Sequence, residues 1–335
     1  MKIAIVILNW NGKHLLQEFL PVVYKHSAAQ ATIYIADNAS TDDSIVYVSQ
    51  HFPEVKIIQN SENGGYAKGY NDALKHVDED LFILMNSDIA TSPNWLDPII
   101  EVYNTNPKLG AAQPKILDYK RPEYFEYAGA AGGYLDYFGY PFCRGRIFEE
   151  LEQDVGQYDD NKEVFWASGA CLVIRKSVFY SVGGLDELFF AHQEEIDLCW
   201  RVKAAGYSII NIGNSKVYHL GGATLEQMNP QKTYLNFRNS LILLIKNVSG
   251  FRVWFILFFR MCLDGIAAFK FLLEGRPKHA FAILRAHFGF YQKLGPVLSR
   301  RRQTVKLRSY SITKSIVWQY FILRKKHYTD VINNY

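Results

Sequence analysis

An apolar run ends on polar residues in the segment "LFILMNSDIATS", which covers residues 81–92. Residues 81–85 have the composition of a fully buried strand, and Asn86, Ser87 and Asp88 follow directly. A plain turn would explain the change, because Asn, Ser and Asp all favour turns. A carboxylate at the end of a buried strand can also hold a ligand at the edge of a sheet. Asp88 is therefore a candidate binding residue, with a turn as the alternative.

Three carboxylates lie close together in "HQEEIDLCWR": Glu194, Glu195 and Asp197. If they are buried, their mutual repulsion raises the pKa of at least one of them, which suits general acid–base catalysis. A solvated helix start is the alternative, because acidic residues favour helix N-termini. His219 ends a short strand-like run further on, and a lone histidine is more often structural than a metal ligand. The set is more informative than any one of its members.

Two earlier segments have the composition of ligand-binding loops. Asp37 in "IADNASTDDS" follows a buried strand, although Asp also favours turns and helix caps. A calcium loop is excluded, because its third and fifth positions would be Ala39 and Thr41. In "NSENGGYAKGYNDAL", Gly64 and Gly65 precede a predicted helix, where backbone N–H groups can approach phosphate. The segment lacks the GxGxxG and GxxxxGK[ST] spacings, so an ordinary glycine turn is the alternative.

The elements that would position these residues alternate along the first third of the chain. Strand-like runs occupy 3–8, 32–36, 55–59, 81–85 and 110–113, and helix-like stretches occupy 13–26, 43–51, 66–77 and 93–104. This alternation predicts βαβ units and a parallel sheet with helices on both faces. In such sheets the ligand site lies at the carboxyl ends of the strands, so the polar residues after each run should share one edge.

The middle of the chain is less regular. Residues 114–165 are rich in Tyr, Phe and Gly and predict a long insertion beside the site. The segment "ACLVIRKSVFYSVGGLDE" (170–187) predicts a strand and then a helix closed by glycines. The acidic cluster then starts a second helix, and the runs 208–212 and 216–220 predict two short strands.

Charge is distributed unevenly along the 335 residues, although the net charge is only +4. Residues 251–335 carry 16 Lys and Arg against three Asp and Glu, whereas residues 1–250 carry 21 against 30. With 49% hydrophobic and 21% charged residues the chain is expected to fold rather than to be disordered. The four cysteines form no CxxC pair and no signal peptide is evident, which predicts reduced thiols in a cytosolic protein.

An apolar stretch at 241–273 opens the basic tail. On a helix at about 100° per residue its charges share one narrow arc: Arg252, Arg260, Asp264, Lys270 and Glu274. A spanning helix needs ~20 residues with few charges, so the pattern favours a helix that lies in the membrane interface. A helix packed on the catalytic domain is the alternative. Basic clusters at 300–302 and 324–326 favour anionic lipid, and the tail lacks the aromatic–basic pattern of a nucleic-acid module.

Taken together, the segments resemble the family 2 glycosyltransferases, and in particular bacterial rhamnosyltransferase-like polysaccharide enzymes. The resemblance covers about residues 1–240. It rests on "IVILNWNG", "DNASTDDS", "NGGYAKGYNDAL", "MNSDI", "SGACLVIRKSVFYSVGGLDE", "QEEIDLCWR" and "VYHLGG". "MNSDI" is similar to the DxD metal motif of the family, with Asn86 in place of the first acid. The usual catalytic aspartate is replaced by Glu195.

The resemblance implies a role for each matched residue. Asp88 and His219 would be ligands of a divalent metal, Mn²⁺ or Mg²⁺. Glu195 would be the catalytic base, with Glu194 in reserve. The donor nucleotide would contact Leu8, Asn9, Asp37, Asn38, Asn63, Gly65, Asn71, Asn86 and Ser87. The acceptor side would include Trp166, Gly169 and Asp197, with Asp197 also expected to help position its helix.

The resemblance also implies a fold and a function. The expected fold is α/β of the GT-A type over residues 1–240, with a basic helical extension over 241–335. The expected reaction moves a sugar, with inversion, from a UDP- or dTDP-type sugar to a lipid-linked saccharide acceptor in cell-surface polysaccharide synthesis. Peripheral membrane contact through 246–326 would place the enzyme in the cytoplasm at the inner face of the membrane, without nucleic acid as a partner. A nucleotidyltransferase and an inactive nucleotide-sugar binding module are the alternatives.

Overall fold

The computed structural model describes residues 1–221, 229–303 and 305–332. The side chains of residues 302 and 303 also lie outside the description. Two predicted features therefore fall outside the described part of the chain: Gly222 of the "VYHLGG" motif and the side chain of Arg302 in the basic cluster.

The thirteen strands of the described residues are β1 (Ile3–Asn9), β2 (Thr32–Asp37), β3 (Lys56–Gln59), β4 (Leu81–Asn86), β5 (Ile89–Thr91), β6 (Leu109–Asp118), β7 (Gly133–Leu135), β8 (Pro141–Cys143), β9 (Arg146–Ile147), β10 (Glu150–Leu151), β11 (Asn161–Glu163), β12 (Cys171–Arg175) and β13 (Ser208–His219). The helices are α1 (Lys13–Ser27), α2 (Ser44–His51), α3 (Gly65–Leu74), α4 (Leu96–Thr105), α5 (Lys176–Ser181), α6 (Glu194–Ala204), α7 (Pro230–Asn247), α8 (Arg252–Leu273), α9 (Pro277–Gln292), α10 (Leu294–Gln303), α11 (Ile316–Phe321) and α12 (Tyr328–Ile332).

The large sheet has the strand order β11-β13-β6-β12-β4-β1-β2-β3, with β5 paired to β13. The predicted parallel sheet is correct for β3-β2-β1-β4, whose strands are all parallel. β12 lies outside the runs on which that prediction was based, and it runs antiparallel between β4 and β6. β1 and β4 read as nearly unbroken apolar runs, because side chains from both faces of the sheet are covered.

The register of the parallel half brings the predicted polar residues to one edge. Asn9 at the end of β1 is opposite Asp37 at the end of β2, and Leu8 is opposite Asn86 at the end of β4. Parallel strands end at the same side of a sheet, so three separate loops meet there.

The predicted insertion at 114–165 contains a second, four-stranded sheet with the order β10-β9-β8-β7. The two short strands predicted at 208–212 and 216–220 are one strand, β13, whose register against β6 shifts between Ile212 and Lys216. That irregularity explains why the sequence pattern breaks there. β13 carries His219 as its last residue.

The apolar tail is not one helix over 241–273. α7 ends at Asn247 and α8 begins at Arg252, with Gly250 between them at a φ of +69° that favours glycine. The predicted domain boundary at 240/241 falls inside α7, which is continuous from residue 230. In the described ranges, every helix is too short or too polar to cross a membrane.

The predicted charge arc of α8 faces the protein rather than water over its central part. Arg260 and Asp264 are buried, and Arg260 Nε lies 2.9 Å from Asp264 Oδ1. The Arg260 guanidinium lies 3.6 Å from the centre of the Tyr140 ring and donates to the carbonyl of Phe138. His287 of α9 also contacts Asp264, at 3.2 Å. These contacts fix α8 and α9 to the body of the protein, so their apolar side chains face outward.

Candidate active site

Strand pairing brings Asp88 and His219 together across 131 residues of sequence. β5 pairs with β13, so that His219 is opposite Ile89, and the backbone N–H of Leu220 donates to the Asp88 carbonyl at 3.1 Å. Nε2 of His219 lies 3.1 Å from Asp88 Oδ1, and both side chains are buried. The Asn86 amide lies 3.4 Å from the same nitrogen.

A third residue, Glu126, faces the other side of the histidine ring. Its Oε1 lies 3.2 Å from His219 Nδ1, at an angle outside the hydrogen-bond range, and its Oε2 accepts from the backbone N–H of Ala128. Burial lowers the pKa of His219, but Glu126 and Asp88 outweigh it and raise that pKa to about 10. Glu126 was not predicted, because it lies in the aperiodic insertion and no sequence pattern marks it.

The donor atoms at this position suit a divalent metal. Asp88 and His219 supply one carboxylate and one imidazole nitrogen, a set that Mn²⁺ accepts and in which the carboxylate also suits Mg²⁺. Within the described ranges, no three His, Cys, Asp or Glu side chains are grouped to hold a metal. A cation here would therefore take its other ligands from a bound phosphate and water.

The loop before α6 has an unusual backbone. Phe190, His192 and Gln193 all have positive φ values, between 65° and 74°, and Gln193 is the residue before the first turn of α6. Non-glycine residues rarely adopt this conformation unless their surroundings enforce it. Asn239 of α7 does so, because its amide donates to the carbonyls of Phe189, Ala191 and His192.

The first turn of α6 carries the three predicted carboxylates in different environments. Burial, and then the neighbouring Glu195, raise the pKa of Glu194 well above its usual value. Burial also raises the pKa of Glu195 to about 7, against the opposing effect of backbone N–H groups in the same turn. Glu195 is half-buried, and its Oε2 has no hydrogen-bond partner. A carboxylate with this pKa can accept a proton near neutral pH.

Asp197 is bound into the core rather than facing an acceptor. It is fully buried and accepts from Lys246 at 2.7 Å, from Asn247 at 2.8 Å and from Arg201 at 2.8 Å. Burial raises its pKa, but Lys246 and Arg201 outweigh this and lower the pKa to about 2. Lys246 also contacts Asp186 at 2.6 Å. The predicted role in positioning α6 agrees with these contacts.

The ends of β1 and β2 form a polar pocket. The Asn9 amide donates to Asp37 Oδ1 at 3.0 Å, and the backbone N–H of Ser40 donates to Asp37 Oδ2 at 2.9 Å. Asn38 donates to the carbonyl of Gly65 at 3.0 Å and also lies 3.5 Å from Asn63. The structure therefore places these predicted nucleotide contacts together, while Leu8, Asn86 and Ser87 lie at the adjoining strand ends.

Gly65 permits a close approach between this pocket and the loop before α6. It has a φ of +77°, and a Cβ there would lie 2.7 Å from the Phe190 carbonyl oxygen. Gly169 lies on the other side: its carbonyl accepts from Tyr66 at 2.7 Å, and a Cβ on it would lie 3.6 Å from Glu195 Cβ. Tyr66 was not predicted, because a tyrosine in a helix carries no distinctive pattern.

Two predicted residues do not join this group. Asn71 bonds both the N–H and the carbonyl of Leu185, so its amide holds a loop instead of facing a nucleotide. Trp166 is buried, donates to the carbonyl of Tyr134, and packs so tightly that a Cβ on Gly133 would lie 1.8 Å from its ring. Trp166 therefore belongs to the core of the insertion and not to an acceptor surface.

Comparisons with known proteins agree with this geometry. The profile described as Glycosyl transferase family 2 matches residues 4–183. The chain is 26% identical over 235 residues to the N-acetylglucosaminyl-diphospho-decaprenol L-rhamnosyltransferase of Mycobacterium tuberculosis, covering 65% of this chain and 75% of that protein.

Two solved structures share the fold at low sequence identity. The structure of GalNAc-T7 with UDP, GalNAc and Mn²⁺ has a TM-score of 0.59 at 13% identity, covering 75% of this chain but only 49% of that one. The structure of S. aureus TarS 1–349 in complex with UDP-GlcNAc has a TM-score of 0.53 at 15% identity, covering 93% and 95%. The predicted GT-A-like α/β fold is confirmed.

Proposed function

Because the chain belongs to glycosyl transferase family 2, we propose that it moves a sugar from a UDP- or dTDP-type donor to a hydroxyl of a saccharide acceptor. The observation that carries this proposal is the meeting of Asp88 and His219 at one strand end, with Glu195 nearby. Glu195 packs against Gly169, and the next residue, Ala170, accepts from the backbone N–H of Asn86. A metal position and a base thus border one space.

Asp88 and His219 would hold the divalent metal. Bound there, Mn²⁺ or Mg²⁺ would neutralise the charge that grows on the diphosphate leaving group. The pairing of β5 with β13 brings Asp88 beside His219, and Glu126 lies 3.2 Å from the other ring nitrogen, which supports this assignment. Mn²⁺ in the GalNAc-T7 structure supports a metal-dependent reaction.

Glu195 would take the proton from the acceptor hydroxyl as that oxygen attacks the sugar. Its Oε2 has no hydrogen-bond partner among the described residues, so this atom is available to an acceptor, and burial gives the group a pKa suited to a base. Glu194 Oε2 also lacks a partner, and its more strongly raised pKa favours a neutral acid instead. A single displacement with one base inverts the anomeric centre.

Asp37 would contact the base of the donor nucleotide. Its carboxylate lies at the end of β2, held by Asn9 and Ser40 at the bottom of the polar pocket. UDP-GlcNAc in the TarS structure and UDP in the GalNAc-T7 structure support a uracil-type base. The acceptor would be a lipid-linked saccharide of cell-surface polysaccharide synthesis, because the name of the rhamnosyltransferase relative gives a diphospho-decaprenol acceptor.

The enzyme would meet this acceptor at a membrane surface, through the lipid-facing patch. We use this name for the exposed apolar side chains of α8 and α9: Trp254, Phe255, Phe258, Phe259, Ile266, Phe269, Leu272, Leu273, Phe281, Leu284, Phe288 and Tyr291. Exposed apolar areas of this extent mark interaction surfaces. Lys270, Lys278 and Arg285 border the patch and would favour anionic headgroups.

A panel of nucleotide sugars would test the proposal by donor hydrolysis and by transfer to a lipid-linked saccharide. The protein should hydrolyse and transfer UDP and dTDP sugars only when Mn²⁺ or Mg²⁺ is present. Asp88→Ala should remove both reactions while the protein stays folded. Full activity in excess chelator would contradict the metal role. Binding of nucleotide sugar without hydrolysis or transfer would favour an inactive binding module, and release of pyrophosphate from a sugar phosphate and a nucleoside triphosphate would favour a nucleotidyltransferase.

A further inference from the structure

Arg146 is a buried cation that forms no ion pair with the described residues. Burial lowers its pKa, but Cys143, Tyr127 and, at longer range, Glu126 outweigh this and raise that pKa. It is only 7% exposed, and its guanidinium lies 4.5 Å from the centre of the Tyr127 ring. Its contacts are weak: Nη1 donates to the Phe148 carbonyl at 3.3 Å, Nη2 lies 3.6 Å from Cys143 Sγ, and Nε has no acceptor. No carboxylate lies within ion-pair distance in the part of the chain that the structure describes.

Buried charges in proteins are normally paired, because an isolated charge loses the solvation of water. Arg144 follows this rule two residues away: it is 4% exposed, forms an ion pair with Asp160 and lies over the Tyr158 ring. The difference between these two neighbouring arginines indicates that Arg146 is completed by an anion from outside the protein.

Lys232 supplies a second cation from the first turn of α7. Residues 232, 239 and 246 are seven apart and so share one face of the helix. On that face Asn239 donates to the carbonyl of His192, and Lys246 donates to Asp197. Lys232 therefore lies on the face of α7 that packs against residues 192–197. It is half-buried and forms no ion pair with the described residues. Burial and Arg146 both lower its pKa, although Glu126 and Glu149 oppose this.

Both cations border the catalytic centre. Tyr127, under Arg146, is the neighbour of Glu126, which contacts His219. His192, whose carbonyl is held on the Lys232 face of α7, lies two residues before Glu194, and its Nε2 is buried without a partner. Arg146 and Lys232 thus lie beside the segments that carry Glu126 and Glu194.

We propose that Arg146 and Lys232 bind the diphosphate of the acceptor, next to the saccharide that receives the sugar. This rests on the proposed function, in which the diphosphate of the donor is already neutralised at Asp88 and His219. A saccharide carried directly on a lipid diphosphate brings its own negative charge close to the reacting hydroxyl, and that charge needs cations of its own. Arginine forms paired hydrogen bonds to phosphate oxygens, and lysine adds a point charge.

Farnesyl diphosphate is a suitable probe, with farnesol as the uncharged reference. Binding to the full chain is measured by calorimetry in excess chelator, so that no metal at Asp88 can hold the probe. Arg146→Gln and Lys232→Gln should each weaken binding of farnesyl diphosphate by about tenfold or more, as expected for a charge-assisted hydrogen bond. Binding of farnesol should not change. Arg144→Gln is the matched control and should bind the probe as the wild type does.

Three further results decide the outcome. Equal affinity of wild type and both variants for farnesyl diphosphate would overturn the proposal. Weaker binding of UDP with Mn²⁺ in the variants, with farnesyl diphosphate unaffected, would assign the cations to the donor and also overturn it. If the wild type binds no nucleotide at all, the proposed function is wrong. The experiment in excess chelator would still measure binding of farnesyl diphosphate to Arg146 and Lys232. If Arg146→Gln does not fold, Arg146→Lys and Lys232→Gln take its place in the test. Arg146→Lys keeps a positive charge at the buried position, and Lys232→Gln leaves Arg146 unchanged.

Discussion

The carboxylate of Glu126 lies 3.2 Å from Nδ1 of His219, on the opposite side of the ring from Asp88. This relationship matters because a histidine can bind a metal through Nε2 only when its remaining proton is on Nδ1. A carboxylate beside Nδ1 favours that tautomer and holds the ring in place. We therefore expect Glu126 to act through His219, as a positioning residue.

Replacing Glu126 should weaken metal binding without removing a ligand. We expect Glu126→Ala to lower Mn²⁺ affinity in the presence of UDP by roughly 10–100-fold, the usual effect of losing such an outer partner. Electron paramagnetic resonance of Mn²⁺ measures the affinity, and the nitrogen coupling from His219 reports whether the ring still binds. Glu149→Gln removes an exposed carboxylate nearby and should have little effect. An unchanged Mn²⁺ affinity in Glu126→Ala would contradict the positioning role.

The two adjacent glutamates should differ in their effect on turnover. Glu195→Gln keeps the shape of the side chain but removes the proton acceptor, so kcat should fall by roughly 10²–10⁴-fold. Donor affinity should barely change, since the proposed function assigns Glu195 to the acceptor and not to the donor. Glu194→Gln is the matched variant and should be less impaired. The assignment is wrong by one residue if Glu194→Gln is the crippled variant and Glu195→Gln is not.

The rate should rise with pH through about 7. Burial raises the pKa of Glu195 to about 7, and a base works only when deprotonated, so protonation should remove activity as the pH falls below this value. Because Glu194 and Glu195 influence each other, the profile reports an apparent pKa of the pair. The measurement is kcat against pH at saturating donor and metal. A flat profile between pH 5.5 and 8 would argue against a carboxylate base with this pKa.

Lys246 should matter for stability although it lies beyond the predicted catalytic domain. Lys246→Met would leave Asp197 and Asp186 buried without their shared cation, which costs about 3–5 kcal/mol when a buried pair is broken. Denaturant unfolding measures the loss. Lys270→Met, an exposed lysine on α8, is the control and should change stability little. An unchanged free energy of unfolding in Lys246→Met would contradict this role of the buried ion pairs.

The same contact adds a pH dependence to folding. The pKa of Asp197 is lowered to about 2, below its ordinary value, so its pairing stabilises the protein above the unfolded pKa near 4. That contribution should be lost as the pH falls from about 4 towards 2. A chain that ends at residue 240 would lack Lys246 and should therefore lose this stabilisation.

The lipid-facing patch should bind vesicles through its apolar side chains. Burying a phenylalanine contributes roughly 1.5–3 kcal/mol, so Phe255→Ser with Phe258→Ser should reduce sedimentation with anionic vesicles at least about tenfold. Val46→Ser with Val155→Ser removes exposed apolar side chains from other surfaces and is the control. High salt should release the wild type only in part, since it screens charge alone. Equal sedimentation of both double variants would contradict the role of this patch.

Sequence patterns were sufficient for the parts of the fold that depend on local order. The alternation of apolar runs and amphipathic stretches predicted β1 to β4 and the helices between them, because such patterns reflect which faces are buried. The motifs also indicated the correct family, which the match over residues 4–183 confirms. Asp88 and Asp37 could be selected because each directly follows a buried strand, and parallel strands end at one edge.

Contacts between distant segments depended on the tertiary structure. Glu126 meets His219 only through the path of the aperiodic insertion, and Asn239 and Lys246 meet the α6 region only because α7 packs against it. The charges of α8 were predicted to share one arc, yet Arg260 and Asp264, at its centre, face inward because Tyr140 and His287 lie there. Local sequence determines which residues share a face, since that follows from backbone periodicity. Which surface that face meets is decided by packing with segments far away in the chain.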